Sequence, residues 1–270
     1  MFKFTLTLAA LAAAASAGAA AQGPDSIRQR PTFELALGGF VTDHDAAIRF
    51  DSAALGRGTE LDFADDLGFD LSKTVLRADA ILRLGDSGRH RFDASYFRLS
   101  RASTTVLEET IQFGDQVFTY SADLDSQFRL AIAKLNYTYV VSRGMNHEFG
   151  VSAGVFMADV DLGLTAPDFG LSEREAVTLP LPTVGLRGQT EITERWTLKA
   201  STDLFFLETD DVAGSLADLR LSAEFAVTDH VALGAGYYYV TSDIEYTGSR
   251  DTLSLGYDYS GLVVFLNFRM

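Results

Sequence analysis

The residues best suited to acid–base chemistry sit near residue 50 of this 270-residue chain, where His44 stands between Asp43 and Asp45. Asp62, Asp65 and Asp66 follow in the same connection. An imidazole base facing an acidic pair could hold and activate a water for hydrolysis, although no spacing here fixes that geometry. The other histidines, His90, His147 and His230, adjoin short turns, and Asp229-His230 reads as a turn. The same loop carboxylates could gather a divalent cation. Asp62-Phe63-Ala64-Asp65-Asp66 lacks the Asp-x-Asp-x-Asp-Gly spacing of an EF-hand, so such binding is expected to be adventitious. There is no cysteine, hence no Cys/His zinc set, and no glycine-rich phosphate loop follows a strand. No catalytic residue, metal ligand or cofactor is assigned.

A second group of charges is defined by alternation. Arg77, Arg83, Arg91, Lys134, Arg187, Lys199, Arg220 and Arg269 face Glu34, Asp79, Asp93, Glu148, Glu191, Asp203, Asp218 and Glu224 in equal number. Each lies in a period-2 stretch whose other face is apolar, as a half-buried strand requires. The apolar faces are Phe33–Val41, Leu76–Leu84, Phe92–Tyr96, Ala131–Tyr139, Phe149–Met157, Val184–Leu186, Trp196–Phe206, Ala217–Phe225, Val231–Tyr239 and Leu262–Phe268. Ten strands result. Pro180 and Pro182 disturb the sixth, with a bulge or lost pairing expected there, and the second long connection is ambiguous, so eight or twelve strands remain open. Short turns alternate with long connections at 42–72, 102–127, 161–175, 208–216 and 243–252, read as loops.

A soluble barrel keeps its apolar face inside, whereas a membrane barrel turns it to lipid. The balanced charges favour the inside-out arrangement, because a narrow lumen cannot hydrate so many ions and calls for pairing. Phe92, Tyr137, Tyr139, Phe149, Trp196, Phe225 and Phe268 all fall at turn-proximal ends, as an interfacial aromatic girdle would, with Phe206, Tyr237 and Tyr239 nearer the other rim. No segment after the apolar stretch from Phe4 to about Ala15 reaches the roughly 20 uncharged residues of a membrane helix. Residues 1–21, with Lys3, an apolar core and Ala19-Ala20-Ala21, read as a cleaved secretory leader, leaving 22–270 as one barrel domain. The absence of cysteine from an exported chain suits a closed barrel, which can do without disulfides.

With this leader, these alternating strands and the final stretch Leu266-Asn267-Phe268-Arg269-Met270, the chain resembles the small single-chain outer-membrane β-barrel proteins of Gram-negative bacteria. The resemblance covers essentially the whole mature chain and rests on pattern rather than a motif. It implies an all-β, antiparallel transmembrane barrel, exported to the periplasm and inserted in the outer membrane. It also implies a terminal strand read by the outer-membrane assembly machinery through Phe268, although Met270 and not an aromatic residue ends that face. Some barrels of this kind, such as the omptins, are proteases with acidic pairs and an Asp-His couple. Removing Lys3 with the leader takes the formal charge from −15 to −16, concentrated in the long connections. Such an acidic crown would repel nucleic acid, enrich cations and meet lipopolysaccharide phosphates only through divalent ions. Three functions follow in order: a structural or surface-interaction barrel with a charge-paired lumen, a narrow cation-preferring channel, and a hydrolase using the His44 region.

Overall fold

Alternation of side chains across a pleat places residues i and i+2 on one face, and this chain obeys it almost throughout. The computed structural model describes residues 30–270 apart from 71, 86, 210–211 and 248–251, together with the side chains of residues 45 and 212. The leader segment 1–21 lies outside the described residues. In chain order the strands are β1 (Phe33–Asp51), β2 (Leu61–Asp62), β3 (Ser72–Leu84), β4 (His90–Val106), β5 (Ile111–Phe113), β6 (Gln116–Phe118), β7 (Asp123–Arg143), β8 (His147–Ala166), β9 (Leu171–Glu191), β10 (Trp196–Glu208), β11 (Val212–Ala226), β12 (Val231–Thr247) and β13 (Thr252–Arg269). Ten long strands pair antiparallel with their neighbours, and β13 closes on β1 from Glu34↔Arg269 to Asp51↔Thr252. The ten expected strands are the ten staves of this barrel. β2 pairs briefly with β1, and β5 with β6 forms a separate hairpin.

The prolines do not break β9. Its register against β8 runs straight through Met157↔Pro180 and Val155↔Pro182. What is lost is the other ladder, which ends at Leu204↔Val184, two residues short of Pro182. A residue without an N–H is tolerated where no partner strand asks for one.

The long connections are not mainly loops. β8 and β9 meet across a turn of four residues, Pro167–Gly170, and β1, β7, β12 and β13 also run far into segments read as loops. The physical reason is a reversal of polarity halfway up the wall. On β8, Val151, Ala153, Val155 and Met157 face outward while Glu148 and Ser152 face in; above them Asp159 and Asp161 face outward, and Val160, Leu162 and Leu164 are buried inside. The outer face is apolar only where lipid covers it. A strand of 21 residues such as β9 extends roughly 70 Å, whereas crossing the hydrocarbon takes about 9–11 residues, so about half of the longest strands, β7, β8 and β9, would stand outside a bilayer.

Above the apolar belt the barrel also opens along two lines. β3 and β4 pair only from Arg77↔Phe97 downward, and β9 and β10 only from Val184↔Leu204 downward. The outer half is therefore two facing sheets, β4-β7-β8-β9 and β10-β11-β12-β13-β1-β3, packed as a sandwich. Its core holds Phe128, Leu130, Val160, Leu162, Ile48 and Leu255 from the walls. Leu61, Phe63, Leu67 and Phe69 from the first connection, and Ile111, Phe113 and Phe118 from the second, fold inward to fill it. Each such side chain contributes about 1.5–3 kcal/mol by leaving water.

Candidate functional site: the filled lumen

Inside the membrane half, inward alternation leaves the charged side chains little solvent, and they arrange in layers. Nearest the periplasmic end, Glu34 accepts from Arg83 at 2.6 Å and Lys199 at 2.7 Å, and Glu224 from Lys199 at 2.7 Å and Arg269 at 2.6 Å. Asn267 donates to both carboxylates at 3.0 Å. Glu148 takes Arg91 at 3.2 Å and Arg30, from the segment before β1, at 3.5 Å. Arg91 also pairs with Asp93, whose second oxygen accepts from Thr138 at 2.9 Å. Nearer the bilayer centre Lys134 lies 2.6 Å from Asp218 and 3.1 Å from Asp203; Arg187 joins Asp203 at 2.6 Å, while Arg220 and Arg77 hold Asp79 at 3.0 and 2.8 Å. A polar cavity of about 110 Å³ lies among these groups, roomy enough for water.

The network is roofed by aromatics. The Arg77 guanidinium sits 4.5 Å from the Tyr238 ring centroid, 5.6 Å from Phe97 and 5.7 Å from Phe40. Cation–π attraction lets one buried arginine face ions below and hydrocarbon above. Small residues make this packing possible: a Cβ on Gly234 would lie 2.2 Å from the Phe265 ring, and one on Gly185 would lie 2.1 Å from the Thr202 carbonyl oxygen.

The acidic-loop residues do not assemble. His44 points inward and is buried, its ring nitrogens meeting Thr42 Oγ1 and the Tyr257 hydroxyl, and among the described residues no hydrogen bond or ion pair joins it to a carboxylate. Asp43 lies on the opposite, exposed face; the Asp45 side chain is outside the described residues. Asp62 Oδ1 accepts from the Ala64 and Asp65 N–H groups, both at 2.8 Å, and Asp66 Oδ2 from Asp62 N–H at 2.7 Å. These two carboxylates hold a turn that delivers Phe63 and Leu67 to the core. Asp65 is left exposed, and among the described residues no three His, Asp or Glu side chains gather as a metal site. The candidate water-activating arrangement at His44 is not formed among the described side chains, because the pleat sends His44 and Asp43 to opposite faces.

His44 lies above the apolar belt, and burial, with Arg101 nearby, pushes its pKa down from 6.5 to about 3. Below pH 6.5 the unfolded chain gains a proton that the folded one refuses until about pH 3, so stability falls as pH falls through that window. At pH 4.5 the loss is about 2–3 kcal/mol. Urea unfolding from pH 7 to 4.5 checks this, with His44→Gln expected to remove that part of the slope.

The girdle residues are placed on the outer wall beside the periplasmic turns. Trp196 packs on Phe225 at 5.2 Å and Phe92 on Tyr137 at 5.5 Å, with Tyr139, Phe149 and Phe268 on the same face. Phe206, Tyr237 and Tyr239 are exposed at the upper rim of the belt. Sequence reasoning missed the outer apolar core, the roof over Arg77, and Arg30. The first was legible in the reversed alternation Phe156, Ala158, Val160, Leu162, Leu164; the second needs three strands brought together and has no local signal.

No protein-family model and no curated protein sequence matches the chain. Solved structures do. The outer-membrane protease OmpT from Escherichia coli aligns with a TM-score of 0.57 at 10% identity, covering 88% of this chain and 96% of that one. The translocator domain of the autotransporter NalP from Neisseria meningitidis aligns at 0.45 and 10%, over 90% and 91%. Neisserial surface protein A aligns at 0.34 and 14%, over 90% and 100%. A closed ten-stranded wall with an apolar outer belt between aromatic rims, together with the alignment to OmpT, shows that this chain folds as an antiparallel ten-stranded β-barrel of the architecture that OmpT has.

Proposed function

We propose that the protein is a closed barrel acting as a structural or surface-interaction element of the outer membrane, with no continuous path for solutes. The observation that supports this is double filling: ion pairs occupy the membrane half of the lumen, and a buried apolar core occupies the outer half. Passage of an ion would require both to part. The Arg77 roof would have to lift, and Phe63, Phe113 and Phe118 would have to leave the sandwich. A cation-preferring channel needs an open vestibule, and the inserted connections occupy that space. A hydrolase at His44 lacks its accessible base.

The test is conductance of the refolded mature chain in a planar bilayer. Protein shown to be folded by its heat-modifiable gel mobility is expected to give no steady steps. Reproducible cation-selective steps, diminished by Asp65→Asn with Asp66→Asn, would overturn the closed reading in favour of the channel.

A further inference from the structure

The ion pairs of the lumen do not cancel. In the layer nearest the bilayer centre four cations, Arg77, Lys134, Arg187 and Arg220, share three carboxylates among the described residues, Asp79, Asp203 and Asp218. The shortest contacts sort them one to one. Arg77 holds Asp79 at 2.8 Å, Lys134 holds Asp218 at 2.6 Å and Arg187 holds Asp203 at 2.6 Å. Arg220 is left over. It reaches only carboxylates that another cation holds more closely, Asp79 at 3.0 Å and Asp218 at 3.4 Å. A guanidinium does not shed its proton in a protein, so the layer carries one positive charge in excess. Buried charges are costly unless paired.

Arg220 also borders the polar cavity of about 110 Å³. Among the described residues five basic and four acidic side chains line that cavity, so its wall repeats the excess of one. Neutral donors surround Arg220 there. Ser201 on β10 and Tyr238 on β12 are its direct partners across the two ladders, and Ser222 is the next inward residue on β11. All three line the cavity, and their hydroxyls make no hydrogen bond among the described residues. The Arg220 guanidinium lies 5.1 Å from the Tyr238 ring centroid. One cation without its own acid and three hydroxyls without acceptors therefore meet at one end of a cavity with room for several water-sized particles.

We infer that this cavity holds a monovalent anion, a halide such as chloride, seated against Arg220 and cradled by Ser201, Ser222 and Tyr238. A single negative charge matches the excess, whereas a multivalent oxyanion would exceed it and crowd the four carboxylates of the wall. A halide is spherical and only a little larger than water, so it accepts from N–H and O–H groups without demanding a planar fork of donors. The ion is a structural part of the lumen rather than a solute in transit, and the excess charge exists whether or not the barrel conducts. Halide binding thus goes beyond the closed reading and does not rest on it.

The test compares urea unfolding of the refolded mature chain in sodium chloride and in sodium gluconate, a bulkier anion, at equal ionic strength. In wild type each tenfold rise in chloride above its dissociation constant is expected to raise the folding constant about tenfold. Arg220→Gln leaves every carboxylate of the layer its nearest cation, and it is expected to lose that dependence while keeping heat-modifiable mobility. Subtracting the variant from wild type cancels general salt effects. Wild-type crystals grown in bromide are expected to show an anomalous peak beside Arg220, a result that stands even if the variant fails to fold. Equal wild-type midpoints in the two salts would overturn the site and mean that Lys134 sits there without its proton. A chloride dependence that survives in Arg220→Gln, or the absence of a bromide peak, would overturn it as well. A bromide peak with no effect of chloride on the midpoint would show an adventitious ion only and count equally against it.

Discussion

Lys134→Met is expected to lower the unfolding free energy by about 3–5 kcal/mol, because it strips the cation from two buried carboxylates at once. Asp218 and Asp203 lie 2.6 and 3.1 Å from the ammonium. Arg187 still reaches Asp203, and Arg220 approaches Asp218 at 3.4 Å, but neither can offset the loss of the shared charge between them. The cost of breaking such a pair is mainly the penalty for the charge left behind. Removing one carboxylate together with the cation should therefore recover most of it, and Lys134→Met combined with Asp218→Asn, which leaves Asp203 paired with Arg187 and Arg220 paired with Asp79, is expected to unfold close to the wild-type urea midpoint. A single variant as stable as wild type would mean that water reaches this level of the lumen freely.

Phe128→Ala should cost about as much, 3–5 kcal/mol, by a different mechanism. Its ring packs edge-on against Phe63 at 4.6 Å and lies 6.3 Å from Phe69, both delivered by the first connection. Removing it leaves a hole between the sheets and loosens the inserted segment, while the ion-paired half below is untouched. The two halves should then separate in the experiment. Protease added outside is expected to cleave the variant near residues 52–60 long before Trp196 fluorescence, at the periplasmic end, reports any change. Simultaneous loss of both signals would show that the barrel unfolds as one unit.

The staves were legible because their lipid-facing halves alternate cleanly, as Trp196, Leu198, Ala200 and Phe206 do on β10. Their true lengths were not, because above the belt the same pleat carries apolar residues inward and polar ones outward. A reading keyed to an apolar outer face stops where that face turns polar, at Asp43 on β1 or Asp159 on β8. The charged inner positions were visible from spacing alone, yet which acid meets which base is set by strands far apart in sequence, as with Glu34 and Lys199. His44 misled for a related reason. Adjacent residues look like a cluster in sequence, but in a strand they are the ones guaranteed to point apart.

Pro180 and Pro182 have a consequence beyond their own strand. Where β9 parts from β10 it presents a bare backbone flank, the kind of surface onto which a neighbouring chain can zip. In a membrane crowded with other barrels, that flank stands just outside the lipid, within reach of every molecule that drifts past. Two consecutive alternate positions without an N–H deny any newcomer a continuous run of bonds, so the wall can stay unlatched on this side without offering a complete edge for pairing.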